Sequence, residues 1–333
     1  MANLYLTEQG SILRKTGDRL IVEKDDAILL DVQCHKIDTV LIFGNVQFTT
    51  QAIKELFEHG IEMAILTTRG RLIGQITSPA TKNIELRIEQ FRRYESEDFK
   101  IALSRKLVSG KIKNSLQFLR GFSYNHPEVD LKGEMVAMES AQKSVDGQTS
   151  LESLNGIEGI AARHYFSGFS KMILGGFGFE GRRKYPATDP VNALLSLGYT
   201  IIFNEISSLL DGMGFDPYLG YYHSVEYGRA SLASDLQEEF RAPVVDRLTL
   251  RLINNRVIKQ EDFYKNPKGD GVYLTRDAMK RYFAEYEDFI NSEFIHPDTK
   301  EKTTFRKSIR IQIERLASFI KGEKEYIPFY LEV

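Results

Sequence analysis

The spacing of apolar and polar residues changes character once along this chain. From Leu4 to about Ile76, short apolar and β-branched runs alternate with turn residues: LYL, SILRK, RLIVEK, AILLDV, DTVLIF, EMAILT and RLIGQI. Runs of this length and composition predict strands. One interruption is helical. Thr49 and Thr50 precede QAIKELFEHG, where Ile53, Leu56 and Phe57 repeat at i, i+3 and i+4 and Gly60 is a candidate C-cap. The strand pattern ends in GQITSP, whose glycine and proline mark a domain boundary near Pro79. After Ala80 the period becomes helical and stays so, as in IELRIEQFRRYESEDFKIALSRKLVSGKIKNSLQFL and DPVNALLSLGYTIIFNEISSLLDGM. Residues 125–147 are more polar and contain His126-Pro127, which predicts a turn and a shorter helix; EYIPFYLEV reads as an extended tail. The expected fold is α+β and multidomain, with a strand-rich N-terminal β domain over 1–79 followed by a predominantly α-helical catalytic domain over 80–333.

A length of 333 residues agrees with two units, at about 150 residues per domain. The formal net charge of −2 excludes a uniformly basic coat, so any DNA contact must come from local patches. Cys34 is the only cysteine, which argues against an internal disulfide and a thiolate zinc cluster, so any metal is expected to use oxygen and imidazole ligands. The N-terminus lacks the basic flank and apolar stretch of a signal peptide, and no apolar run is read as approaching the ~20 residues of a membrane span. A cytoplasmic protein is expected.

The candidate chemistry lies in the helical half. Glu158 sits in SLNGIEGIAARHYF, where Gly156, Gly159, Ala161 and Ala162 let backbones or ligands come close. His223 follows the Pro- and Gly-punctuated GFDPYLGYY, at a loop or helix edge. In the run from Ser231, Asp235, Glu238 and Glu239 stand at i, i+3 and i+4, on one helical face, with Arg241 as partial compensation. The alternative for these acids is a solvated face beside a hydrogen-bonded histidine. Two carboxylates and one imidazole suit Mn²⁺ or Mg²⁺ before zinc, with open positions for catalysis on phosphodiesters. His35, His59, His126 and His296 are read as lacking acid partners at helical ligand spacing, and His164 is i+6 from Glu158, off its face.

Four ordered blocks, NGIEGIAARHYF, DPVNALLSLGYT, GFDPYLGYYH and SLASDLQEEFRAPVVDRL, resemble the CRISPR-associated integrase and endonuclease family, the first of the two universal Cas proteins. The similarity runs nearly end to end. The family's metal ligands, a glutamate in the first block, the histidine closing the third and an acid in the fourth, carry over to Glu158, His223 and Glu238, with Asp235 as an adjacent acid. The resemblance implies a homodimer, assembly with the second universal Cas protein, and insertion of short double-stranded DNA fragments into a CRISPR array by metal-assisted transesterification.

Basic clusters are candidate phosphate contacts: Lys100, Arg105, Lys106, Lys111, Lys113 and Arg120; Arg182, Arg183 and Lys184; and Lys302, Arg306, Lys307 and Arg310. Each is otherwise a solvated face. Arg163 and Arg241 are further candidates for phosphate charge, and Tyr165, Tyr221 and Tyr222 for stacking on a splayed base, against core packing. GFGFEG matches G-x-G-x-x-G but follows a helix and opens none, and no P-loop appears, so no nucleotide cofactor is expected. The competing readings are a non-catalytic DNA-binding scaffold and a metal-dependent phosphodiesterase acting on other substrates.

Overall fold

A computed structural model describes residues 2–68, 70–77, 83–183, 186–265, 269 and 271–331. The expected boundary near Pro79 and the side chain of Lys184 lie outside these residues. The chain divides into two compact units, one of residues 1–80 with Met279–Glu287 and one of residues 81–278 with 288–333.

The first unit runs β1 (Ala2–Leu6), β2 (Ile12–Thr16), β3 (Arg19–Lys24), β4 (Ala27–Gln33), a 3₁₀ turn at Cys34–Lys36, β5 (Ile37–Phe43), β6 (Gln47–Phe48), α1 (Thr50–Glu58), β7 (Glu62–Leu66) and β8 (Leu72–Ile76). One sheet has the order β1-β5-β7-β8, the other β4-β3-β2-β6. β5 pairs in parallel with β1 and β7 and is buried along nearly its whole length, which is why DTVLIF is a continuous apolar run rather than an alternating one. Leu13, Leu20, Val40, Leu56 and Met63 form the core. The two residues of β6 are too short to carry a pattern, and the sequence reading did not include them.

α1 begins where Thr49 accepts a hydrogen bond from the Ala52 amide at 3.2 Å and ends at His59, followed by Gly60 at φ +64°. Its buried face includes Glu55, whose carboxylate pairs with Lys15 and lies 3.5 Å from Nδ1 of His59. His59 therefore does have an acid at i−4, which corrects the sequence reading. The core of this unit is completed from far along the chain: Phe283 stacks on Tyr5 at 4.3 Å and meets Phe43 at 5.0 Å, and the Tyr5 hydroxyl donates to Glu287 at 2.8 Å. No local pattern announces that pairing.

The second unit is mainly helical: α2 (Ile84–Tyr94), α3 (Glu97–Asn125), α4 (Lys132–Ser144), α5 (Leu151–Lys171), α6 (Pro190–Met213), α7 (Ser231–Gln237), a π-helical turn at Arg241–Asp246, α8 (Arg247–Asn254) and α10 (Phe305–Ile320), together with the two ends of α9 (Arg276–Ile290), whose central residues Met279–Glu287 belong to the first unit. Two short ribbons, β9 (Phe263–Lys265) with β10 (Val272–Leu274) and β11 (Glu293–Ile295) with β12 (Lys302–Thr304), flank α9 in sequence. The strand-rich start and helical remainder are as expected. Ser96, Ser150 and Asp189 cap α3, α5 and α6, and Pro190 stands in the first turn of α6. α6 is long and apolar enough for a membrane span by composition, contrary to the reading that no run comes near one, but 72% of its apolar window is buried inside the protein. It is a core helix, apolar all round because neighbours surround it.

The C-terminal segment seats on α3: Asn114 donates to the Phe329 carbonyl at 2.8 Å and accepts from the Leu331 amide at 3.0 Å. Gly110, one turn earlier, leaves room for Pro328, since an added Cβ would lie 2.8 Å from the proline Cβ. Alanine at 110 would gain about 1 kcal/mol of helix propensity. Overpacking against a ring that cannot rotate away costs about 1–3 kcal/mol. Gly110→Ala is therefore expected to lower stability by up to about 2 kcal/mol in urea denaturation; equal or higher stability would show that the segment is not seated there.

Candidate metal centre

Four segments of the second unit supply one site. α5 carries Glu158, α3 carries Lys111, the loop after α6 carries His223, and the segment running from α7 into the π-helical turn carries Asp235, Glu238 and Arg241. Gly156 and Gly159 have nothing within 4 Å of an added Cβ, so these glycines leave open space beside Glu158 rather than a helix crossing. The close packing of α5 lies about two and a half turns beyond Gly159, where a Cβ on Gly168 would lie 3.0 Å from the Leu119 side chain.

The three acids expected on one helical face do not share it. α7 stops at Gln237 and the chain passes through turns into the π-helical segment, so the helical i, i+3, i+4 relation fails after Asp235. All three are buried and face different partners. Asp235 accepts from the amides of Tyr221, Tyr222 and His223 at 2.6, 3.0 and 2.8 Å, and from Nδ1 of His223 at 2.8 Å. Glu239 accepts from the Tyr326 hydroxyl, the Gln312 amide and the Phe329 amide at 2.5, 2.8 and 2.7 Å. Glu238 alone of the three faces Glu158 and His223, across one cavity of about 820 Å³.

Asp235 thereby fixes the imidazole. With a carboxylate on Nδ1, that nitrogen donates a hydrogen bond to Asp235, and Nε2 faces Oε1 of Glu238 at 3.8 Å. Gly220 is needed for the loop to come so close, because a Cβ there would lie 2.7 Å from the Ser231 backbone and 3.0 Å from the Asp235 carboxylate. The sequence reading placed Asp235 beside the site without this reason.

Lys111 joins the two glutamates. Its ammonium pairs with Glu158 and lies 2.6 Å from Oε2 of Glu238, while Arg241 lies 3.2 Å from Oε1 of Glu238. Burial pushes the Glu238 carboxyl up, but Arg241, Lys111 and His223 outweigh it and hold the group at about 2. Burial likewise works against the Lys111 charge, and the two glutamates overcome it and raise its pKa. Composition marked Lys111 as one of six basic residues on a helix; only packing singles it out from the other five.

Two carboxylates and an imidazole lining one cavity are donors of the type a divalent ion with oxygen and nitrogen preference takes, but their ligand atoms do not lie within 4.8 Å of one another, and Lys111 stands between the two glutamates. The same cavity is lined by Lys111, Arg163, Lys171, Arg182 and Arg241 against Glu158, Glu180 and Glu238, five bases to three acids. An additional cation would leave it strongly positive, as a phosphate site requires.

Of the remaining candidates, Arg163, Arg182 and Tyr222 line this cavity. Arg182 is anchored rather than free: it donates to Asn192 at 2.9 Å and Ser196 at 3.1 Å, both from the DPVNALLS stretch. Arg183 is exposed and pairs with Glu180. Tyr165 is buried, and its hydroxyl donates to Asp246 at 2.6 Å; Tyr199 donates to the other oxygen at 2.5 Å. The guanidinium groups of Arg182 and Arg241 lie 5.2 and 4.8 Å from the Tyr199 ring. Asp246 and Tyr199, which the sequence reading missed, thus support two of the cavity's arginines. In sequence, Asp246 is one more acid in an amphipathic run.

Residues 4–288 match the protein family described as CRISPR associated protein Cas1. The CRISPR-associated endonuclease Cas1 3 of Thermus thermophilus is 34% identical over 330 residues, covering 98% of this chain and 96% of that protein. A CRISPR-associated exonuclease Cas4/endonuclease Cas1 fusion of Geobacter sulfurreducens is 32% identical over 98% of this chain, which spans 59% of the fusion's length. Among solved structures, a Cas6-RT-Cas1–Cas2 complex superposes with a TM-score of 0.84 at 29% identity, over 100% of this chain and 36% of that longer one.

Burial raises the Asp246 carboxyl to about 6 from 3.8, against the opposing pull of the two tyrosine hydroxyls and the two arginines. A raised folded pKa means that the folded state keeps its proton to higher pH than the unfolded chain. The associated stability is fully present below 3.8 and lost as pH rises through about 6. Thermal melting between those values is expected to show the wild type losing stability relative to Asp246→Asn as pH rises; parallel profiles would contradict this environment for Asp246.

Proposed function

Because this chain belongs to the CRISPR-associated Cas1 family, we propose that it is a divalent-metal-dependent DNA endonuclease and integrase that inserts short DNA fragments into a CRISPR array. The observation that carries this reading is that Glu158, His223 and Glu238 line one cavity together with Lys111, Arg163, Lys171, Arg182 and Arg241. We assign those three side chains as ligands of Mn²⁺ or Mg²⁺. When bound, the ion supplies Lewis-acid polarisation of a phosphoryl oxygen and stabilises charge in the transition state. Asp235 holds the His223 ring with Nε2 toward the site. Arg163, Arg182 and Arg241 take up phosphate oxygens, and Tyr222 forms the cavity edge beside His223. The attacking group is the fragment's 3′ hydroxyl. One phosphodiester bond forms as another breaks, the departing 3′ oxygen takes a proton, and no nucleotide is hydrolysed.

The second universal Cas protein, Cas2, is the proposed partner, as in the similar Cas1–Cas2 complex. A strand-rich domain over residues 1–79 is proposed for dimerisation and partner contact, with residues 80–333 as the catalytic domain. In support, the edge strand β4 exposes Ile28, Leu29 and Leu30. A cytoplasmic, reducing location suits the buried free thiol of Cys34.

A scaffold reading has one observation in its favour: Lys111 and Arg241 already neutralise Glu158 and Glu238 without an ion. Calorimetric titration separates the two. Site-specific Mn²⁺ binding that Asp235→Asn weakens about 10–100-fold is expected for the enzyme; absence of binding supports the scaffold. In strand-transfer and cleavage assays, Glu158→Ala is expected to lose about a thousandfold in metal-dependent rate, several kcal/mol of transition-state stabilisation. Its duplex affinity in EDTA should be unchanged. Full activity in this variant would refute the ligand assignment.

A further inference from the structure

Far from these residues in sequence, the first unit brings a thiol, a carboxylate and an imidazole together. Cys34 opens the 3₁₀ turn before β5 and is fully buried; Glu55 lies on the buried face of α1; His59 closes that helix one turn later, half-exposed. One ligand atom from each, the Cys34 sulfur, a Glu55 oxygen and a His59 nitrogen, can be chosen so that all three lie within 4.8 Å of one another. We propose that Cys34, Glu55 and His59 form a second metal site, selective for Zn²⁺, that ties the 3₁₀ turn to α1.

The ligand chemistry decides the ion. A thiolate is a soft donor that Mg²⁺, Ca²⁺ and Mn²⁺ bind poorly, and thiolate with imidazole and carboxylate is a zinc set. Three protein ligands leave the fourth tetrahedral position to water, on the exposed side of the His59 ring. Glu55 and His59 stand at i, i+4 on one helix, so a single rigid element presents two of the three donors. Cys34 comes from a turn held by its own backbone, its amide donating to the Asp18 carbonyl at 3.2 Å.

Charge balance is met as well. The thiol loses its proton to solvent on binding, and thiolate and carboxylate together cancel the two positive charges of the ion. Lys15, which now pairs with Glu55, gives up that contact; its side chain is 31% exposed and reaches water by rotation. Tetrahedral zinc ligands stand about 3.5 Å apart; Nδ1 of His59 is already 3.5 Å from a Glu55 oxygen, and no pair of the trio has to close from more than 4.8 Å. The exposed imidazole can supply that movement by releasing the Glu55 carbonyl, now 3.0 Å from its Nδ1. Burial and Glu55 keep the free Cys34 thiol protonated, with its pKa near 11, so without an ion the group is an inert core residue.

The test uses the full-length protein, stripped of metal and titrated with Co²⁺ as a spectroscopic substitute for zinc. A thiolate-to-cobalt charge-transfer band is expected to saturate at one equivalent per chain and to disappear when Zn²⁺ is added. The band should be lost in Cys34→Ser and in His59→Ala, and retained in Glu158→Ala, whose own cluster has no thiol. Because Cys34 is buried and its variant could misfold, His59→Ala is the deciding variant. Zinc should also raise the melting temperature of the wild type and not that of His59→Ala. Absence of a saturating band, or a band undiminished in His59→Ala, overturns the proposal. Neither result bears on the Glu158, His223 and Glu238 cluster.

Discussion

A carboxylate removed from water has to be met by donors or cations, and the helical unit buries four of them within residues 235–246: Asp235, Glu238, Glu239 and Asp246. Leaving one such charge unpaired costs about 3–5 kcal/mol, a large part of a protein's net stability. Each is met differently, and those pairings fix the local architecture. Asp235 gathers the amides of the 221–223 loop, Glu239 gathers the C-terminal segment, and Asp246 gathers two tyrosine hydroxyls. Glu238 is the exception, its partners being the side-chain cations Lys111 and Arg241 rather than backbone or hydroxyl donors.

The same pairings explain why so many basic side chains can line one cavity. Arg182 and Arg241 flank the Tyr199 ring, whose hydroxyl reaches Asp246, while Arg182 is tied down by Asn192 and Ser196. Like charges are held close because a buried negative charge and an aromatic face lie behind them. Groups fixed in advance do not have to be ordered when a phosphate arrives, which is the arrangement that favours electrostatic catalysis.

Charge compensation also separates the two metal assignments. In the helical unit the donors are oxygen and imidazole and already face cations, so a hard divalent ion replaces charge with charge. In the strand-rich unit the trio includes a protonated thiol, and binding must release a proton. The two clusters therefore differ in ion preference and in the protons they exchange, although both combine acid with histidine.

The amino-acid sequence by itself determined the change from strand to helical periodicity and the cap at Thr49, and its four recognisable blocks singled out Glu158, His223 and Glu238 as candidates. Those features are local, or preserved as residue identities, and can be read in order along the chain. Tertiary structure decided what each of three neighbouring acids faces, because α7 ends before its helical repeat can be continued. It also decided that Lys111, rather than another base of α3, stands between the glutamates, and that Phe283 closes the core around Tyr5. Burial hid Glu55 as a partner of His59, since an acid on an apolar stripe resembles a solvated residue until its neighbours are placed. The pairings of Lys111 with the glutamates and of Tyr5 with Phe283 join residues tens to hundreds of positions apart, where packing and desolvation, rather than local periodicity, select the partner.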